Sequence, residues 1–159
     1  MENLAATGFT AQLELGLRFR ECIEKSTLSL QLFDPDFRVF PLGTKDVDAA
    51  LRHFLTNGGT MQLAMHRSGT IGHDYPRFMR LLRDFGHRIA CRATPANLRQ
   101  LTDSFCIGDA VNIVRRFHSD HMRGEAAFGS RPAAAISLER FDGIWLESRP
   151  CLHPTPTGL

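Results

Sequence analysis

Hydrophobic positions change their period repeatedly along the first 93 residues. Leu15, Phe19, Cys22 and Ile23 recur at the spacing of one helix face, whereas the run TLSLQLF that follows alternates leucine with polar residues, as a half-buried strand does. The same change from helical to strand spacing occurs twice more. The sequence therefore predicts helices over 11–26, 46–57 and 75–86, each followed by a strand, over 27–33, 60–66 and 88–93.

The rest of the chain has a different pattern. SFCIGDAVNIV holds two short apolar runs separated by Gly108-Asp109, which indicates a hairpin, and Glu125–Gly129 predicts one more short strand. A last helix is expected from Pro132, which suits a first turn, to Glu147. Together the elements predict an α/β fold with a mixed, largely parallel sheet and helices on both faces. In such sheets ligands lie beyond the carboxyl ends of the strands.

Both ends of the chain lack these periodicities. Residues 1–10 show none, and PCLHPTPTGL at 150–159 holds three prolines, so both are predicted to be disordered tails around one domain at 11–149. No apolar run reaches the about 18 residues of a membrane span, and the start lacks the basic and apolar segments of a secretory signal. A cytoplasmic location without membrane contact is therefore expected.

The composition also fits one domain, because 43% of the 159 residues are hydrophobic and 12 of them are Phe. The net charge of +2 is too small to argue by itself for a nucleic-acid or membrane partner. Six Arg against one acid between Tyr75 and Arg99 would suit a positive face, but a solvated helix face explains them as well. The four cysteines lie far apart without a Cys-x-x-Cys spacing, which favours buried free thiols.

The densest group of ionisable side chains lies between residues 115 and 123. It consists of Arg115, Arg116, His118, Asp120, His121 and Arg123. Arginine forks match phosphate or carboxylate oxygens and histidines add further donors, so the segment predicts an anion site after the hairpin. Asp34 and Asp36 follow the first strand and are expected at the same edge, where they would pair with an arginine. The alternative interpretation is a structural network of ion pairs.

A metal-dependent hydrolase is a further alternative, because His118, Asp120 and His121 are plausible ligands. The spelling Arg116-x-His118-x-Asp120-His121 is close to the His-x-His-x-Asp-His of metallo-β-lactamase-like hydrolases, but an arginine does not ligate a metal and the motif comes late in the chain. No glycine-rich nucleotide loop is present either. We therefore expect neither a metal nor another cofactor.

LQLFDPDF followed by DAALRHFLTNGGTMQLAMH resembles the first strand, helix and second strand of one half of the phospholipase D superfamily. The resemblance extends over roughly Gly16 to Ser148. SFCIGDAVNIV resembles the segment that bears the catalytic His-x-Lys-x4-Asp, and the helix that ends in ERFDGIW resembles the closing helix. More narrowly, LFDPD together with RRFHSDHMRG is similar to a small bacterial domain of undefined function that looks like a degenerate half.

The resemblance breaks at the catalytic motif. Asp109 matches the Asp, but Thr102 stands in place of the His and Ser104 in place of the Lys. The family's chemistry takes an imidazole from each of two halves, one of which attacks phosphorus, while the Lys stabilises phosphoryl charge. The resemblance therefore implies a pseudoenzyme, and Asp109 also has a structural explanation in its Gly-Asp turn. Because the family's halves pair about a two-fold axis, a lone half implies a homodimer or a docking partner.

The leading hypothesis is a non-catalytic phospholipase D-like domain that binds a phosphate-bearing ligand, such as a nucleic acid or a nucleotide, or an acidic segment of a partner. The predicted anion-binding side chains are Arg115, Arg116, His118, His121 and Arg123, and those predicted to support them are Asp34, Asp36, Asp109 and Asp120. The alternatives are a scaffold or dimerisation domain without a ligand, and the metal-dependent hydrolase.

Overall fold

The computed structural model describes residues 6–118 and 120–153. In chain order the strands are β1 (Thr7–Phe9), β2 (Ser29–Phe33), β3 (Thr60–Met65), β4 (Ile89–Ala93), β5 (Ser104–Gly108), β6 (Asn112–His118), β7 (His121–Ala127) and β8 (Arg149–Pro150). The helices are α1 (Gln12–Lys25), α2 (Lys45–Thr56), α3 (Gly69–Asp74), α4 (Pro76–Asp84) and α5 (Arg131–Glu147).

The described strands form one mixed sheet in the order β1-β7-β6-β5-β2-β3-β4-β8, which confirms the predicted fold class. Parallel pairing is confined to β2, β3 and β4, the strands of the three helix–strand units. The remaining neighbours pair antiparallel, because β5, β6 and β7 follow one another through tight turns and β5 returns beside β2. Two of the seven pairings between the described strands are parallel and five are antiparallel, so the sheet is mixed, as predicted, but mostly antiparallel instead of largely parallel.

Helices cover both faces of the sheet, as the sequence predicted. One face packs against α1, α2 and α4, and its buried side chains include Phe19, Leu32 and Phe78. The other face packs against α5, where Phe105 and Phe141 meet edge to face with ring centroids 6.4 Å apart. Successive strand residues supply opposite cores, because side chains alternate across a sheet.

The ordered chain extends beyond the limits 11–149 that the sequence suggested. β1 lies inside the predicted tail and pairs with β7, with Thr7 opposite Ala126. At the other end β8 pairs with β4, and the N–H of Cys151 donates to the carbonyl of Cys91 over 2.9 Å. Backbone hydrogen bonds to a neighbouring strand hold both segments in place. The sequence did not predict them because strands of two or three residues are too short to show an alternation of apolar and polar side chains. The outermost parts of the predicted tails, residues 1–5 and 154–159, lie outside the described residues.

The four cysteines are free thiols, and Cys22, Cys91 and Cys106 are buried as the sequence indicated. Cys151 is only half buried, and its burial raises the pKa of the thiol to about 11. Among residues 6–118 and 120–153, no helix combines the length and apolar character needed to cross a membrane.

Gly124 provides a test of the antiparallel half. A Cβ at this position would lie 2.0 Å from the carbonyl oxygen of Arg115 on β6 and 2.6 Å from the ring of Phe9 on β1. Gly124→Ala should therefore lower the free energy of unfolding by about 1–3 kcal/mol, the usual cost of overpacking. Gly143→Ala is the matched control, because nothing lies within 4 Å of its added methyl and a helix interior favours Ala. Urea unfolding measures both, and equal stability of the two variants would contradict this packing.

Candidate functional site

The carboxyl ends of the parallel strands meet at one edge of the sheet, which also receives the start of β5 and the end of β6. Ser104 of β5 lies opposite Arg116 of β6, and Phe33 at the end of β2 lies opposite Phe105. Asp34 follows β2 directly, so these strands bring Asp34, Ser104 and Arg116 to the same edge and the same face of the sheet. This is the edge at which the fold rule places a ligand.

Asp34, Ser104 and Arg116 form a buried network. Asp34 and Ser104 have no exposed surface and Arg116 has only 3%. Nη2 of Arg116 donates to Oγ of Ser104 over 2.7 Å and lies 3.3 Å from Oδ1 of Asp34, and the Ser104 hydroxyl in turn donates to the same carboxylate oxygen. Arg116, which was predicted to bind an anionic ligand, is therefore paired with the carboxylate of Asp34 inside the protein.

Backbone donors complete the environment of Asp34. Its Oδ2 accepts from the N–H groups of Asp36 (3.0 Å) and Phe37 (2.5 Å). Burial raises the pKa of Asp34 above its usual value, and the Ser104 hydroxyl, these N–H groups and the Arg116 guanidinium oppose the rise. Asp36 itself turns away and pairs with Arg38 at 3.3 Å, so it does not join the network.

The loop after β2 is held by further contacts. Phe37 is fully buried and has a positive φ of 60°, a conformation that is uncommon for a side chain of this size. Its carbonyl accepts a hydrogen bond of 2.6 Å from the hydroxyl of Tyr75. The backbone that surrounds the Asp34 carboxylate is therefore fixed from the α4 side as well.

His66, directly after β3, is another buried polar residue of this edge, and no role was predicted for it from the sequence. Its Nε2 donates to the carbonyl of Leu101 over 2.7 Å, and its Nδ1 lies 2.5 Å from Oγ1 of Thr94. The imidazole thus ties the end of β3 to the segment that leads from β4 into β5. The segment that His66 holds in this way leads directly into Ser104 at the start of β5.

Arg115 lies on the opposite face of the sheet from Arg116. Its Nε donates to Oε1 of Glu125 on β7 over 2.9 Å, and the two charges form a half-buried ion pair. Neighbouring strand residues cannot aim at one ligand, because their side chains alternate between faces. Arg115 and Arg116 therefore do not face one common ligand, and the period of two in β6 was the signal that would have shown it.

The exposed part of the predicted cluster lies where β6 and β7 meet. His118, His121 and Arg123 line a cleft of about 570 Å³ together with Thr10, Phe117, Asp120 and Met122. The rings of His118 and His121 are 6.2 Å apart. The N–H of Asp120 donates to Nδ1 of His118 over 3.1 Å, and a carboxylate oxygen of Asp120 lies 3.6 Å from the same nitrogen. Within the described chain, Arg123 has no ion pair.

The metal interpretation finds no support in this arrangement. Residues 6–118 and 120–153 contain no group of three His, Cys, Asp or Glu side chains that could hold a metal ion. His118, Asp120 and His121 are close in sequence, but they do not converge on one point. The hydrolase that would depend on them has no site in the described part of the molecule.

Asp109 lies at the far end of β5, in the turn that leads to β6, and not at the site edge. Its carboxylate accepts hydrogen bonds from the backbone N–H groups of Thr27 (2.9 Å), Leu28 (2.7 Å) and Ser29 (3.0 Å). Asp109 thus has a structural role. The backbone that it holds is the start of β2, whereas the sequence suggested that it would hold its own turn. Asp109 therefore lies away from the anion site that it was predicted to support, because the length of β5 separates the two ends.

The network predicts a large difference between two adjacent arginines. Arg116→Ala would leave the Asp34 carboxylate buried without its cation, so the free energy of unfolding should fall by about 3–5 kcal/mol. Arg115→Ala, the control on the same strand, removes a pair that keeps water contact and should cost no more than about 1 kcal/mol. Urea unfolding compares them, and an Arg116→Ala variant as stable as Arg115→Ala would rule out the network.

Three solved structures illustrate the similarity of this chain to known proteins. Nuc from Salmonella typhimurium, a phospholipase D family member, matches with a TM-score of 0.68 and 16% identity over 92% of this chain and 97% of that chain. The archaeal chromatin protein TrmBL2, described with a novel mode of DNA binding, matches with a TM-score of 0.67 and 10% identity over 92% of this chain and 54% of that chain. NucT from Helicobacter pylori matches with a TM-score of 0.59 and 11% identity over 92% of this chain and 99% of that chain.

The identities are low, so these structures establish the fold and nothing more. The fold is that of a phospholipase D-like half, as the sequence resemblance implied. No curated protein matches the chain. A family profile matches residues 19–153, which span every described element from the middle of α1 to the end of β8. The chain therefore belongs to the family described as "Domain of unknown function (DUF7931)", a family with the phospholipase D-like fold.

Proposed function

We propose that this chain is a non-catalytic phospholipase D-like domain that binds a phosphate-bearing ligand at the exposed end of the β6–β7 hairpin. The observation that carries the proposal is the buried network of Asp34, Ser104 and Arg116. Ser104 stands where the resemblance places the catalytic Lys, so an internal ion pair fills the corner at which a substrate phosphate would be held. The exposed cations of the same edge lie further out, on the hairpin.

The chemistry of the catalytic corner supports the first part of the proposal. Cleavage of a phosphodiester by this fold needs an imidazole nucleophile and a cation beside the phosphoryl oxygens. Thr102 offers only a hydroxyl at the nucleophile position. The Ser104 hydroxyl is buried between an acceptor and a donor, and the charge of Arg116 is directed at Asp34 instead of at an entering phosphate.

The hairpin end supports the second part. His118, His121 and Arg123 are exposed around the 570 Å³ cleft, and Arg123 supplies a planar fork of donors that suits phosphate oxygens. The DNA-binding mode named for TrmBL2 supports a nucleic acid as the source of the phosphate, since that protein shares the fold. Arg115 and Arg116 are not part of this smaller site, because Glu125 and Asp34 engage them.

A hydrolysis assay tests the missing catalysis. The purified chain should not cleave bis-p-nitrophenyl phosphate with or without added divalent metal, because neither Thr102 nor Ser104 provides the nucleophile or the phosphate-facing cation. The release of p-nitrophenol measures this. Turnover that co-purifies with the chain and disappears in His118→Ala would contradict the proposal.

Salt-dependent binding tests the ligand site. Affinity of the chain for an oligonucleotide should fall with salt, and Arg123→Ala should reduce the slope of log affinity against log salt by roughly 0.7–0.9 for one lost phosphate contact. Arg83→Ala is the matched control, because this exposed arginine lies on α4 and pairs with Asp84. Fluorescence anisotropy at several salt concentrations measures the slopes. Unchanged binding in Arg123→Ala would reject the hairpin site.

Pairing of two copies is a second proposal, which the exposed leucines of α1 favour. Leu13 and Leu17 lie one turn apart with 77% and 57% of their surface exposed, beside a cleft that includes Val39 and Pro41. The resemblance implies that a lone half pairs with another, and a second copy would cover this patch. Light scattering should therefore report twice the mass of one chain, and Leu17→Glu should halve it. A wild-type monomer at high concentration would reject the homodimer.

A further inference from the structure

Phe117 is an exposed aromatic residue that follows the buried part of β6. It is 47% exposed, whereas Arg116 before it is almost fully buried. The pairing of β6 with β7 shifts register between Arg116 and His118, which marks a bulge at Phe117. A bulge redirects a side chain that regular alternation would have placed against the sheet. The outward position of the ring thus follows from the local backbone.

Cationic side chains lie on both sides of the Phe117 ring. On the hairpin side it lines the 570 Å³ cleft with His118, His121 and Arg123. On the α5 side it lines a second cleft of about 350 Å³, in which Arg115 and Arg140 are already paired with Glu125 and Asp103. A single exposed hydrophobic residue needs no explanation in itself. An exposed aromatic face beside the exposed Arg123 and two histidines has the composition of a surface that holds a base next to a phosphate.

We propose that the ligand of the hairpin end is a single-stranded nucleic acid, with a base stacked on Phe117 and the adjoining phosphates contacted by Arg123 and by the histidines. This inference rests on the proposed function and names the ligand class of the same site. A duplex keeps its bases stacked on one another and offers no free face to Phe117, whereas a single strand exposes the faces of its bases. Stacking also tolerates any base, because each has an aromatic face.

The proposal separates the contribution of the bases from that of the phosphates. Loss of one stacked base lowers affinity by about 5- to 150-fold. The full chain should therefore bind a single strand of about 12 nucleotides more tightly, by a factor in that range, than an abasic strand of the same length or the corresponding duplex. The abasic strand keeps the phosphates, so its weaker binding should remain sensitive to salt.

Variants of Phe117 provide the test, with fluorescence anisotropy as the measurement. Phe117→Ala should remove the preference for the single strand over the abasic strand and leave the abasic affinity unchanged, while Phe117→Trp should keep the preference because it retains an aromatic face. Leu146→Ala is the control, since Leu146 is another exposed apolar side chain, on α5. Thermal melts of each variant confirm folding.

The outcomes distinguish the two proposals. Equal affinity of the wild-type chain for the single strand and the abasic strand, or a Phe117→Ala variant that keeps the preference, would overturn stacking and leave the phosphate site standing. Preference for the duplex would overturn stacking as well. Absence of salt-sensitive binding to every strand would overturn the proposed function and this inference with it.

Discussion

The buried carboxylate of Asp34 is the constraint on which the site edge depends. A charge without exposed surface is tolerated only where donors surround it, and here they come from three parts of the chain. The loop after β2 supplies backbone N–H groups, β5 supplies the Ser104 hydroxyl and β6 supplies the Arg116 guanidinium. The network therefore joins the parallel half of the sheet to the antiparallel half at their common edge.

The network occupies the place that the sequence resemblance assigns to catalysis. The positions that the resemblance assigns to a catalytic His and Lys hold Thr102, just before β5, and the buried Ser104, and the nearest cation is engaged inside the protein. Under the proposed function, ligand binding is left to the outer hairpin, where the side chains keep contact with water. A site of this kind would select its ligand by charge and by stacking and would leave the ligand chemically unchanged.

Much of the fold could be predicted from the sequence. The three helix–strand units gave a clear change of period, and all six elements lie within a few residues of their predicted limits. β1, β8 and the first half of β7 were missed because backbone pairing alone fixes them. His121, Met122 and Arg123 of β7 show no apolar alternation, and α3, with the sequence GTIGHD, has two glycines and too few residues for a helical stripe.

The site was predicted in part. The sequence correctly brought Asp34 and Arg116 to one edge, and it stated the structural network as the alternative to an anion site. It grouped Arg115 with Arg116 by their nearness along the chain, although strand geometry sends adjacent side chains to opposite faces. It placed Asp109 with the site through the catalytic motif, although the length of β5 keeps the two ends apart. Phe117 was not singled out, because a bulge cannot be read from a single sequence.

A double-mutant cycle between Asp34 and Arg116 tests the central claim most directly. Asp34→Asn, Arg116→Ala and the double variant are unfolded in urea, and the coupling energy is the departure of the double variant from the sum of the single ones. Because each single change removes the opposite charge from a buried side chain, the account predicts a coupling of about 1.5–3 kcal/mol, with the double variant more stable than the sum implies. Additivity within about 0.5 kcal/mol would show that the two side chains do not depend on each other, and would contradict the account.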